Sequence, residues 1–103
     1  MTAYFSEFDL LLCPTIGVPA YPHYARELTI DGTTVPARQK LNSVMVWDLT
    51  GSPAISVPFG MSAEGLPIGV QLVGRHFDET TVLKAALLLE DVSAVRCARP
   101  PLS

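Results

Sequence analysis

Residues 82–89 read VLKAALLL, and seven of the eight are apolar, Lys84 being the exception. Asp78 precedes them as an N-cap candidate, because its carboxylate can accept from the orphan N–H groups of a first helical turn. Glu79 then places a charge favourable to the helix dipole. The stretch predicts a helix from about 79 to 90. A helix apolar on nearly every side has to be covered on more than one side. No other feature constrains the fold as much, since only 103 residues are present to supply the cover.

The remaining segments offer little of it. Residues 1–8 read as the end of a helix with Tyr4, Phe5 and Phe8 as apolar contacts. Residues 9–14 (DLLLCP) form a short apolar run closed by proline, which predicts a strand buried on both faces. Pro14, Gly17, Pro19 and Pro22 exclude regular structure as far as Tyr24. In 28–35, Asp31-Gly32 lies between β-prone triplets and suits the left-handed angles of a type I′ hairpin. Leu41, Val44, Met45 and Leu49 share one face of a helix predicted over 38–49. Residues 54–59 and 68–73 read as strands joined by a turn at Gly65. In the second, Ile68, Val70 and Leu72 lie on one face and Gly69, Gln71 and Val73 on the other. Three or four short strands, a hairpin and one amphipathic helix hardly enclose segment 82–89. A long irregular stretch after Pro14 also sits badly in a small compact domain. Both features point to part of a larger body.

Charge and composition narrow the function classes. The net charge of −3, with scattered Lys and Arg, offers no basic stripe for nucleic acid or an anionic membrane. No apolar run reaches the ~20 residues of a spanning helix, and MTAYFSEFD lacks the basic start of a signal peptide. Cys13 and Cys97 are expected to be free thiols in a reducing compartment, so a cytoplasmic location is expected. His23 and His76 have no metal-ligand spacing around them, and single glycines make no phosphate-cradling loop. No metal or cofactor is expected.

The chemistry turns on DLTGSPAISVPFG, residues 48–60. A serine becomes a nucleophile when a base takes its proton and donors hold the oxyanion. Ser52 is followed by Pro53, which has no N–H to donate. Ser56 alternates with Ile55 and Val57 on a strand. Neither G-x-S-x-G nor S-x-x-K occurs, and Lys40 and Lys84 read as solvated or snorkelling. A turn at Gly51 feeding a strand is the simpler reading.

Taken in order, FDLLLCPT (8–15), DLTGSPAISVPFG (48–60), GLPIGVQLVGRHFDETTVLKAA (65–86) and RPPL (99–102) resemble the C-terminal portion of the amidase signature family. The resemblance implies an α/β fold in which residues 1–103 are a fragment of a mixed sheet flanked by helices. About three core strands, a small hairpin and two to three helices are expected. It also implies amide C–N hydrolysis by a Ser–cis-Ser–Lys triad. That triad belongs to a Gly/Ser-rich stretch and an upstream lysine, and no counterpart stands in these residues. No catalytic residue is therefore expected here, and the chain should be inactive alone, cut at its front and whole at its back.

The resemblance further makes Thr15, Met45 and Trp47 candidates for lining the substrate pocket. Asp48 stands where relatives commonly have Asn. Leu41 stands where the amidotransferase branch carries an acidic glutamine-binding residue, which favours a general amidase acting on a small amide. The implied partner is the missing N-terminal part of the domain, or another copy of the chain. The alternatives are a non-catalytic interaction module and a separately encoded subunit of a split amidase.

Overall fold

The computed structural model describes residues 1–101. Leu102, Ser103 and the side chain of Lys40 lie outside it, and with them the end of the RPPL segment and the reading of Lys40 as solvated. The elements are α1 (Thr2–Glu7), β1 (Leu10–Pro14), β2 (Glu27–Ile30), β3 (Thr33–Pro36), a 3₁₀ turn (Ala37–Leu41), α2 (Asn42–Thr50), β4 (Ala54–Met61), β5 (Pro67–Gly74) and α3 (Glu79–Val92). The chain is α/β, with three core strands, one small hairpin and three α-helices.

The strands of the main sheet run in the order β1-β5-β4, all antiparallel, and β2-β3 form a separate hairpin. Asp31 and Gly32 both have positive φ (47° and 74°), as a type I′ turn demands. Pro58 fits within β4 because that strand is an edge and owes no N–H on its outer side. Its carbonyl accepts instead from Ser93 Oγ at 2.8 Å, which fastens the end of α3 to the sheet.

Asp78 caps α3 as the sequence predicts, its Oδ1 accepting from Thr81 N–H at 3.3 Å and from Thr81 Oγ1 at 2.8 Å. The i, i+4 pair Val82 and Ala86 packs on Val57 and Leu72, with Leu10, Ile55, Ala85 and Leu89 around them. Burying a valine to the degree of Val82 stabilises by about 1.5–3 kcal/mol. The other side of the helix is bare, with Leu83, Leu87 and Leu88 at 54%, 61% and 70% exposure. One sheet face covers one stripe of α3, and nothing among the described residues covers the rest.

Two sequence expectations change. β1 is an edge strand rather than one buried on both faces, since it pairs with β5 alone, and Leu12 stays more than half exposed. Nor does α2 bury the stripe drawn by its period. Leu49 is 84% exposed, Met45 is half exposed, and no residue of the helix is fully buried. The helix also starts later, at Asn42, after the 3₁₀ turn, and ends at Gly51, whose φ of 66° provides the left-handed stop. At the other end of the sheet, Arg75 Nε donates to the Phe5 carbonyl at 2.8 Å and a terminal nitrogen pairs with Asp9 at 3.0 Å, holding α1 against the turn after β5.

Candidate functional site

Side-chain alternation gives the sheet two unlike faces. Val57 and Leu72 look toward α3. The opposite face carries Cys13, Gly69, Gln71 and Ser56, and α2 approaches it through Ser43.

Strand register assembles the polar groups on that face. Gln71 of the central strand is paired with Cys13 on one side and Ser56 on the other. Its side chain is buried, and Nε2 donates to the Ser43 carbonyl at 3.2 Å and to Cys13 Sγ at 3.5 Å. Because a carbonyl can only accept, that contact fixes which end of the amide is nitrogen. Ser43 Oγ in turn donates to the Thr15 carbonyl at 3.0 Å. Thr15 and Ser56 join hydroxyl to hydroxyl at 2.6 Å. The network thus pins α2 and the segment leaving β1 onto the sheet. Each buried polar group it satisfies would cost about 1–3 kcal/mol if left unpaired.

Of the pocket candidates, Thr15 lies inside this network, at the end of β1. Trp47 is one helical turn from Ser43 and therefore on the same face of α2. Its Nε1 is buried and has no hydrogen-bond partner among the described residues. Met45 is two residues from Trp47, about 200° around the helix axis, and stands half exposed away from it. Thr15 and Trp47 belong to the sheet-facing side, and Met45 does not. Ser43, Ser56, Gly69 and Gln71 were missed as site residues. Gln71, a glutamine inside an apolar strand, was the available signal, since a buried amide has to be hydrogen-bonded.

The serines of DLTGSPAISVPFG have hydroxyl partners and no base. Ser56 meets Thr15, and Ser52 meets Thr50 Oγ1 at 3.0 Å. His76 Nε2 lies 2.6 Å from the Thr50 carbonyl, so that nitrogen carries the proton and cannot accept one from Ser52. Among the described residues no group of three or more His, Cys, Asp or Glu side chains could hold a metal. What the face can do is bind and position a neutral polar group.

Comparison with known proteins bears on the same region. The profile of the family described as Amidase matches residues 1–83. A glutamyl-tRNA(Gln) amidotransferase subunit from Parvibaculum lavamentivorans is 45% identical over 96 residues, which are 91% of this chain and 18% of that protein. Among solved structures, the amidotransferase subunit of the same name from Thermotoga maritima superposes with a TM-score of 0.69 at 35% identity, over 90% of this chain and 19% of that one. The structure of 6-aminohexanoate cyclic dimer hydrolase with its substrate gives 0.79 at 29% identity, over 96% and 22%. The chain spans about a fifth of the length of the proteins it matches.

Proposed function

The chain belongs to the amidase family, and we propose that it acts as a non-catalytic part of an amide-hydrolysing enzyme whose nucleophile stands on another segment or chain. It would dock on that triad-bearing part and supply one wall of the substrate pocket from the Thr15–Ser56–Gln71 face. The bare side of α3 carries this reading, because leucines exposed as Leu87 and Leu88 are belong in an interface. Both outer strands of the three-stranded sheet also leave an edge unpaired among the described residues, as an incomplete sheet would. The test is to mix the chain with an amidase lacking its own C-terminal segment and to follow amide hydrolysis.

A second reading is favoured by the 45% identity with the amidotransferase subunit. Here the wall would belong to a glutamine-using site. Leu41 speaks for the first reading, because an apolar side chain there cannot pair with the charged α-amino group of glutamine. Comparing glutamine with small uncharged amides in the mixed sample separates the two.

A further inference from the structure

Thr15 and Ser56 meet above a position that has to be glycine. Thr15 N–H donates to the Gly69 carbonyl at 3.3 Å, and a Cβ on Gly69 would stand 2.8 Å from Ser56 Oγ and 3.1 Å from Thr15 Oγ1. Each hydroxyl has one proton and two lone pairs. Their mutual bond uses one proton, and among the described residues no acceptor takes the other. The Gln71 Oε1 carbonyl on the same face likewise has no partner there, since Nε2 makes the contacts to Ser43 and Cys13. One donor and one acceptor are left over on adjacent strands.

Beside Gly69 a cleft of about 250 Å³ opens between the segment leaving Thr15 and the start of β5. Ile16, Val18, Tyr21, Pro67, Ile68 and Gly69 are among its lining, and no charged residue is. An apolar cavity of about 150 Å³ suffices for benzene, so a phenyl ring or a short branched chain has room. A carboxylate would find no cation to offset its desolvation.

We propose that the cleft and the hydroxyl pair form one subsite for an uncharged amide, its apolar group in the cleft and its carbonyl accepting the spare hydroxyl proton. The subsite rests on the reading of this face as a wall of an amide-hydrolysing pocket, and it names the chemistry that wall selects.

The test titrates the full ¹⁵N-labelled chain with benzamide and, separately, with benzoate. Benzamide is expected to move the backbone amide signals of Ile16, Val18, Ile68 and Gly69, and benzoate to bind about tenfold more weakly or worse. Thr15→Val and Ser56→Ala are each expected to weaken benzamide binding about three- to tenfold, whereas Thr15→Ser, which keeps the hydroxyl, retains it. No shift up to the solubility limit of benzamide, equal binding of benzoate, or full affinity in Thr15→Val would overturn the subsite. Binding is read without turnover, so the two readings fail separately. A chain that restores hydrolysis but ignores benzamide removes the subsite alone. One that binds benzamide and restores nothing removes the functional reading alone.

Discussion

Thr15 Oγ1 and Ser56 Oγ lie 2.6 Å apart across 41 positions of sequence, and the missing side chain of Gly69 is what lets them meet. The contact joins the last residue before the proline-rich segment to the strand that follows α2. It ties the two irregular parts of the chain to one sheet face.

Glycine-to-alanine changes should therefore cost unequally. In Gly69→Ala the new methyl meets Ser56 Oγ, which can rotate away, so the loss is that of a hydrogen bond, about 0.5–1.5 kcal/mol. Adding Ser56→Ala to it should cost less than the sum of the two single changes. In Gly74→Ala the methyl runs into Val82 Cγ2, a stiff β-branched side chain in the core, and about 1–3 kcal/mol is expected. Urea midpoints measure all three variants.

Asp78→Ala removes the cap of α3 and leaves Thr81 N–H unsatisfied. A loss of about 1 kcal/mol is expected in the same unfolding assay. Asp78→Asn keeps an accepting oxygen and should retain most of the stability. An equal loss in both variants would mean that charge, rather than the hydrogen bond, holds the helix end.

Glu64, in the turn between β4 and β5, has its carboxyl held below the ordinary glutamate range, first by a hydrogen bond from the Ser62 side chain and then by its own backbone N–H. A depressed folded-state pKa means stability that is present above the unfolded value and lost as pH falls through the folded one. The turn should loosen only below the usual glutamate titration. An NMR titration should place the Glu64 midpoint lower in the intact chain than in Ser62→Ala, and coincident midpoints would contradict the assignment.

Leu87→Gln and Leu88→Gln alter side chains more exposed than buried, so each should change stability by less than about 0.5 kcal/mol. The same changes should reduce self-association of the isolated chain, read as mass against concentration by light scattering. A parent chain that stays monomeric at every concentration would count against the bare side of α3 being a contact surface.

The elements legible in the sequence are those set by local chemistry. Asp31-Gly32 specifies its turn through its own backbone angles, and Asp78 specifies the start of α3 through a bond three residues away. What covers a face is not local. The run LLLC gives no sign that β1 has a neighbour on one side alone. The stripe through Met45 and Leu49 gives no sign that α2 instead turns Ser43 toward the sheet. The site was half legible for the same reason. Alternation placed Gly69 and Gln71 on one face, but only the register of β1, β5 and β4 brings Ser56 and Cys13 beside Gln71.

Amide hydrolysis, measured for this chain alone and after adding an amidase from which the corresponding C-terminal segment has been removed, tests the account most directly. No turnover is expected from either part separately, and turnover is expected from the mixture. Hydrolysis by this chain alone that survives both Ser52→Ala and Ser56→Ala would contradict it.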